Sequence, residues 1–459
     1  MADLLIALGG TGQHVALAAS RLVFLGALAP MTLRTIDAED TTDLAMSLQT
    51  FGNTVVKGQS EHPLGKDVSI LSPFVTHKEK PLFVNLFIDN PGTENRLFEL
   101  CYEERLATTD VKEGFFGRPS VGAAIFMQNR KGLLKPVFDS ATNADRIFIA
   151  GSMVGGTGAG IIHQLVKSLR DDDRIKAKDI FGLVFLNWLS LSGTGSVDSY
   201  TLGRNMRFGL KYFDEHTRPQ LNASVVVGLP SGYSGTDKHL TPATPGQGDN
   251  SEQPHYFHLL AAYGIRRLPD IKTKQDNPGT VFAAKFDPVK PLGIYEESWG
   301  DRENPHPLSW YVNRAMFVKA VLSYAASPKF EKEFRDSFGL LGKKDNVGCG
   351  LYEAVERWER SDRKSKIPEI VQCWKKVVSQ YEFSLQWLDR IVGALPEAAR
   401  LPVTTKVLAD EQKSIKTIQT VWKQEMPRSD LKPTPLEIAQ NFHHKLVNSF
   451  SDQKIIESL

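Results

Sequence analysis

Cysteine is scarce in this chain of 459 residues, which has only Cys101, Cys349 and Cys373. The three lie far apart and form no CxxC pair, so a disulfide framework or a thiolate zinc site does not underlie the fold. Free thiols are typical of a reducing compartment. We therefore expect a cytoplasmic protein.

Long hydrophobic runs and a strong net charge are also missing. No stretch of about 18 apolar residues occurs, and the first apolar segment, residues 4–8, is short and has no basic region before it. We expect a soluble protein without a membrane span or a secretory signal. The formal net charge of +2 provides no overall attraction to nucleic acid or to an anionic membrane.

The N-terminal half of the chain alternates strand patterns with helical patterns. Strand patterns occur at residues 4–8, 33–37, 145–151, 180–189 and 222–230, and helical patterns at 14–28, 161–173, 199–216 and 254–268. This alternation predicts an α/β fold with a mainly parallel sheet covered on both faces by helices. In such sheets ligands bind at the carboxyl ends of the strands.

Changes in composition indicate how the chain is divided. Residues 231–250 are almost devoid of apolar side chains, and long helical patterns dominate after residue 307. We expect a first domain at 1–230, a mobile loop and a central helix at 231–270, and a C-terminal domain at 271–459. The last of these is predicted to be mixed at first and then mostly helical.

Two glycine-rich turns each join a predicted strand to a predicted helix. They read GGTGQ at residues 9–13 and GSMVGGTGAG at residues 151–160. A helix that begins directly after a strand offers backbone N–H groups and the positive end of its dipole, and glycines let those donors approach an anion. Neither turn matches a Walker loop, which ends in GK[ST], and the first is only a partial dinucleotide fingerprint. The pair predicts phosphate binding.

The second turn resembles the signature of the tubulin and FtsZ family of guanine-nucleotide-binding proteins. Residues 154–160, VGGTGAG, match the family's GGGTG[SAT]G in all but the first position, and LLIALGGTGQHV is similar to the family's first strand and turn. The resemblance extends over about the first 270 residues. It implies a Rossmann-like parallel sheet that binds GTP or GDP, with Mg²⁺ bridging the outer phosphates, followed by a central helix.

The resemblance also implies residues for each part of the nucleotide. Asp37 follows the second strand, Gly122 belongs to a segment similar to the loop that reaches the terminal phosphate, and Asn205 is in place to contact the guanine. Tyr256, on the central helix, is a candidate for stacking on the base, with plain packing as the alternative. The implied nucleotide-binding residues are Gly9, Gly10, Thr11, Gly12, Gln13, Asp37, Gly122, Gly155, Gly156, Thr157, Gly158, Ala159, Gly160, Asp198, Asn205 and Tyr256.

Catalytic acids are harder to find. GTPases of the family complete their active site in a filament, where acidic or amide residues that follow the central helix reach the nucleotide of the next subunit. The segment that directly follows that helix here, residues 269–277, has Asp270 and Asp276 as its only acids, and each either positions the attacking water or is a solvated loop acid. His255 and His258 have the spacing of a metal-binding pair, but no third ligand lies nearby in the sequence, which favours an ordinary packing role.

Three functions remain open at this point. The first is a divergent, prokaryotic-style tubulin-like GTPase that self-associates into filaments or rings and hydrolyses GTP between subunits. The second is a nucleotide-dependent binding or switch module with little or no hydrolysis. In either case the C-terminal helical region is a candidate binding surface for a protein partner. The third is a Rossmann-type oxidoreductase with NAD on the first turn and Asp37 on the ribose, which leaves the second turn without a role.

Overall fold

Parallel strands and the helices between them form the part of the chain that the computed structural model describes. The described residues are 2–37, 69–71, 102, 118–186, 199–228, 255–270, 279–284, 308–326, 367–393, 439, 442–444 and 446–448. The strands are β1 (Asp3–Leu8), β2 (Met31–Ile36), β3 (Ser69–Leu71), β4 (Arg146–Ser152), β5 (Asp179–Phe185), β6 (Ala223–Val227) and β7 (Thr280–Ala284). The helices are α1 (Gly9–Leu25), α2 (Pro119–Asn143), α3 (Gly156–Asp171), α4 (Ser199–Tyr212), α5 (Tyr256–Arg267), α6 (Leu308–Ala325) and α7 (Ile367–Gly393).

The seven described strands form one sheet in the order β3-β2-β1-β4-β5-β6-β7. Every neighbouring pair is parallel. The strand order reverses between β1 and β4, because the chain first builds outward from β1 to β3 and then returns to place β4 on the other side of β1. Such a switch point opens a crevice at the carboxyl ends of the two strands, where ligands of open α/β sheets bind.

Side chains that alternate along the strands divide the core between the two faces of the sheet. In β1, Leu5 and Ala7 face a cluster that includes residues of α1, α5, α6 and α7. Leu4, Ile6 and Leu8 face a second cluster that includes residues of α2 and α3. Burial on both faces explains why β1 is continuously apolar from Leu4 to Leu8, as expected for a strand of a covered parallel sheet.

Helix α1 is buried on nearly all sides because it lies between the sheet and helices α5, α6 and α7. It ends at Gly26, whose φ of 78° lies in the left-handed region that favours glycine. The guanidinium of Arg314 on α6 donates a hydrogen bond of 2.8 Å to the carbonyl oxygen of Leu25. A helical segment from far along the chain therefore stabilises the C-terminus of α1.

The structure confirms the parallel α/β sheet and the helices on both of its faces. It adds β3 and α2, which the sequence patterns did not predict, and it places β7 in the same sheet although this strand follows residue 270. Helices α6 and α7 lie in the region expected to be mostly helical. The proposed division into domains at residues 230 and 270 stays a prediction.

Candidate functional site

The two glycine-rich turns meet at the switch point of the sheet. Strands β1 and β4 are hydrogen-bonded neighbours, and α1 and α3 begin at their carboxyl ends. The turns are in direct contact, since a Cβ built on Gly9 would lie 3.0 Å from the Cβ of Thr157 and 3.5 Å from the backbone nitrogen of Gly158. The starts of two helices therefore converge on one place.

Both helix N-termini are free of side-chain caps. Leu8 and Gly155 occupy the N-cap positions of α1 and α3, and neither residue makes a side-chain capping hydrogen bond to the helix that follows it. Neither helix has an acidic residue in its first turn. The first N–H groups of a helix normally bind a side chain, water or a ligand, and the helix dipole favours an anion at this end. The arrangement is suited to phosphate.

The glycines of the two turns fall into two groups. A Cβ on Gly12 would lie 2.7 Å from the carbonyl carbon of Ala7, and a Cβ on Gly158 would lie 2.7 Å from the backbone nitrogen of Ser152. These glycines let helices pack closely against strand ends. By contrast, among the residues that the structure describes, a Cβ on Gly10 would meet nothing within 4 Å, and one on Gly155 would only touch the Cβ of Ser152 at 4.0 Å. The space beside these two is open.

The carboxylate of Asp37, directly after β2, bridges the first turns of α1 and α3. Gln13 Nε2 donates to Asp37 Oδ2 at 2.7 Å, and Thr157 Oγ1 donates to Asp37 Oδ1 at 3.2 Å. All three residues are buried. Three segments that are far apart in the sequence are thus joined by one acidic side chain.

The N-terminus of α5 reaches the same edge of the sheet. The ring of His258 stacks on the ring of His14 in α1, with centroids 4.6 Å apart and planes 9° from parallel. It also lies 6.2 Å from the ring of Phe185, the last residue of β5. Tyr256 is buried as the first residue of α5, and burial raises the pKa of its phenol. These contacts bring the start of α5 beside α1.

His255 and His258 cap α5. His255 Nδ1 accepts a hydrogen bond of 3.2 Å from the backbone N–H of Phe257, and His258 Nδ1 accepts one of 3.3 Å from the backbone N–H of His255. Burial lowers the pKa of His255 to about 4. Burial, together with the nearby His255, also lowers the pKa of His14 to about 4. Neutral rings are required for the two capping bonds, because a protonated imidazole has no acceptor.

Gly122 and Asn205 lie on helices that border the two turns. A Cβ on Gly160 in α3 would lie 3.1 Å from the carbonyl carbon of Gly122, which is in the first turn of α2 rather than in a loop. A Cβ on Gly209 in α4 would lie 3.2 Å from the carbonyl oxygen of Met153, at the end of β4. Asn205 precedes Gly209 by one helical turn and shares its side of α4. Contact of either residue with a nucleotide stays a prediction.

Asp270 lies at the amino edge of the sheet, by which we mean the side on which the parallel strands begin. The two turns lie at the carboxyl edge, the side on which the strands end. Arg146 begins β4 and donates two hydrogen bonds, of 2.7 and 2.8 Å, to the carboxylate of Asp3, which begins β1. Burial opposes the charge of Arg146, but the bonds to Asp3 and the charges of Asp3, Asp270 and Asp145 together raise its pKa. Asp270 is therefore close to the amino ends of β1 and β4. Asp276 and Asp198 lie outside the described residues.

Two residues at this site were not expected from the sequence. Ser152 Oγ accepts a hydrogen bond of 3.1 Å from the backbone N–H of Val154 and so shapes the turn between β4 and α3. A serine at a strand end before glycines is a recognised turn signal that could have identified it. His14 directly follows Gln13, but only the fold reveals its stacking partner on α5.

The described residues contain no group of three His, Cys, Asp or Glu side chains placed to hold a metal ion. His255 and His258 act as helix caps, a role that the spacing of the pair did not predict. No helix within the described ranges combines the length and the apolar character that crossing a membrane requires.

The fold and the site thus define an α/β protein with two glycine-rich helix starts at the switch point of a parallel sheet. No model of a known protein family matches the sequence, and no curated protein sequence matches it either. Among solved structures, the chain is similar to CetZ from Methanosaeta thermophila strain DSM 6194, a tubulin/FtsZ-family protein, with 15% sequence identity and a TM-score of 0.32. The similarity covers 66% of this chain and 65% of the CetZ chain.

Proposed function

We propose that this chain is a tubulin-like guanine-nucleotide-binding protein whose GTP hydrolysis requires a second copy. The observation that carries the proposal is the pair of uncapped helix N-termini, one of them in the VGGTGAG segment, at the switch point between β1 and β4. A single such N-terminus is common, but two in contact provide a cradle for a di- or triphosphate. The proposed nucleotide-binding region is residues 1–230 with the start of α5.

The phosphates would lie along the open sides of Gly10 and Gly155, at helix starts whose N-cap residues, Leu8 and Gly155, provide no side-chain cap. Mg²⁺ would be held chiefly by phosphate oxygens and water, as is usual for this ion beside a nucleotide. Both oxygens of Asp37, the nearby buried acid, already accept hydrogen bonds from Gln13 and Thr157.

Two predicted residues would recognise the base. Asn205 offers an amide, which provides both a donor and an acceptor to the guanine edge. Tyr256 begins α5, whose first turn packs on α1 through His258 and His14. The contact between His14 and His258 supports a base pocket beside the starts of α1 and α5.

Hydrolysis within a single chain is disfavoured by the position of Asp270. A strand of six residues is about 20 Å long, so an acid at the amino ends of β1 and β4 is far from phosphates at the carboxyl ends. Orientation of the attacking water requires a group close to the terminal phosphate. Asp270 meets this requirement only if two copies stack with the amino edge of one on the carboxyl edge of the next.

Nucleotide selectivity tests the proposal. In a thermal-shift titration of the chain with GTP, GDP, ATP and NAD, we expect both guanine nucleotides to raise the Tm and ATP and NAD to have little effect. A ligand at a hundred times its Kd stabilises the native state by about 2.7 kcal/mol, which is readily detected. Stabilisation by NAD alone would favour the oxidoreductase instead, and equal shifts by ATP and GTP would remove Asn205 as a base-selecting residue.

The dependence of turnover on protein concentration tests the requirement for a second copy. We expect GTP hydrolysis per molecule to be slow in dilute protein and to rise with concentration, and the Asp270→Asn variant to lose this rise while it still binds GTP. Fast hydrolysis in the dilute chain would contradict the proposal. Hydrolysis at background at every concentration would favour the switch module.

A further inference from the structure

The amide of Gln13 has a hydrogen-bond partner for its nitrogen, and its oxygen has none among the described residues. The side chain is fully buried, and its Nε2 donates a hydrogen bond of 2.7 Å to Asp37 Oδ2. Its Oε1 is buried and has no hydrogen-bond partner within the part of the chain that the structure describes. A buried acceptor without a partner is rare in folded proteins, because it has lost its hydrogen bond to water.

Asp37 determines which way the amide points. A carboxylate only accepts hydrogen bonds, so the amino group of Gln13 must face it and the amide oxygen must face away. Asp37 is itself held in place, since its other oxygen accepts from Thr157 in the first turn of α3. The open acceptor is thus oriented by contacts that join both helix starts.

The missing partner has to be a hydrogen-bond donor or a cation. Mg²⁺ beside a nucleotide is held chiefly by phosphate oxygens and water, which leaves a hydrogen-bond donor as the partner of Gln13 Oε1. Phosphate oxygens at neutral pH are acceptors, so a phosphate on the two helix starts would leave Gln13 Oε1 as it is. Gln13 lies one turn beyond Gly9 in α1, next to His14, which contacts the first turn of α5. A nucleotide that extends from the phosphate cradle toward α5 would bring its sugar hydroxyls and its base N–H groups to this part of α1.

We propose that Gln13 Oε1 accepts a hydrogen bond from a donor on the nucleoside part of the bound nucleotide, and that Asp37 is the positioning residue for this contact. The inference rests on the proposed function, because it needs a nucleotide on the two helix starts. Gln13 then distinguishes a full nucleotide from a bare polyphosphate. A ligand that lacks the donor leaves a buried acceptor unsatisfied and binds more weakly.

Nucleotide analogues that each lack one donor test this inference. The probes are GTP, 2′-deoxy-GTP, 3′-deoxy-GTP, ITP, which lacks the exocyclic amine of guanine, and inorganic tripolyphosphate. For the parent protein we expect one analogue to have a Kd at least about tenfold higher than that of GTP. The identity of that analogue tells whether the donor is on the sugar or on the base. Gln13→Met, similar in length but without an amide, should bind GTP and that analogue equally.

Variants of Asp37 supply the positioning readout. Asp37→Asn can still accept from Gln13 through its oxygen and donate to Thr157 through its amino group, so the discrimination between GTP and the analogue should survive. Asp37→Ala removes both contacts and should lose the discrimination while tripolyphosphate still binds. Circular dichroism spectra identify any variant that does not fold, and the Asn variant tests the inference even if the Ala variant fails.

The outcomes separate the inference from the proposed function. Equal affinity of the parent for GTP and every analogue, with tripolyphosphate also bound, would overturn the contact with Gln13 and would indicate that a buried water satisfies Oε1. Retained discrimination in Gln13→Met would overturn it as well. Absence of binding for GTP and tripolyphosphate alike would reject the phosphate cradle, and the inference would fall with it.

Discussion

The amino edge and the carboxyl edge of the sheet differ in whether their polar groups have partners within the chain. At the amino edge, charged side chains are paired within the chain: Arg146 makes two bonds to Asp3, and the guanidinium of Arg170 donates to several acceptors. Those acceptors are the carbonyl oxygens of Gln220, Lys176 and Lys178 and the side-chain oxygen of Asn222. At the carboxyl edge, two helices begin without side-chain caps and one buried amide oxygen is open. The first edge stabilises the fold, and the second is the edge at which we propose that a nucleotide binds.

The largest effect is expected at the amino edge. Arg146→Ala leaves the carboxylate of Asp3, whose side chain is 5% exposed, without its charged partner. We expect the free energy of unfolding to fall by about 3 kcal/mol, because an unpaired buried charge is strongly destabilising. Chemical denaturation measures this loss. The affinity of the folded variant for GTP should be unchanged, since the altered pair lies at the far edge of the sheet.

The exposed ion pair between Arg174 and Asp172 is a matched control. The Arg174 side chain is 57% exposed, and surface pairs of this kind contribute little, so Arg174→Ala should not change stability measurably. A folded Arg146→Ala protein that no longer binds nucleotide would break the comparison between the edges, because it would show that the amino edge takes part in binding.

An intermediate effect is expected where glycine serves packing at the carboxyl edge. Gly158→Ala would place a Cβ 2.7 Å from the backbone nitrogen and 2.8 Å from the backbone oxygen of Ser152, so the end of β4 has to shift. Overpacking of this kind costs about 1–3 kcal/mol of stability. Gly10→Ala, whose Cβ meets nothing within 4 Å in the described part of the chain, is the control and should leave the Tm unchanged or slightly raised. Equal losses in the two variants would contradict the division of the glycines.

Much of the fold follows from local patterns, and the glycine-rich turns are recognisable because they join a strand to a helix. The bridge from Gln13 to Asp37 and Thr157 was not predictable, since its partners are 24 and 120 residues apart from Asp37 and only the sheet brings them together. The strand β3 has three residues, too few for a hydrophobic period to be visible.

The roles of individual glycines also required the structure. Gly10 and Gly12 belong to the same turn and look alike in the sequence, but only Gly12 is packed against the backbone of β1. A glycine that admits a ligand and a glycine that admits a neighbouring strand both work by lacking a Cβ. Only the positions of the surrounding atoms distinguish the two.

Gly155→Asp has the smallest expected effect on stability and is the most direct test of the phosphate cradle. Gly155 is the N-cap of α3, with an extended backbone (φ −73°, ψ 155°) that any residue adopts, and its Cβ position is open. An aspartate there would accept hydrogen bonds from the first N–H groups of α3, and its negative charge would interact favourably with the positive end of the helix dipole. The Tm should therefore stay the same or rise slightly. The same carboxylate would occupy the phosphate donors and repel the anion. We predict that isothermal titration calorimetry on the folded variant will show at least about a tenfold loss of GTP affinity, equivalent to about 1.4 kcal/mol. A folded Gly155→Asp protein that binds GTP as tightly as the parent would contradict the account.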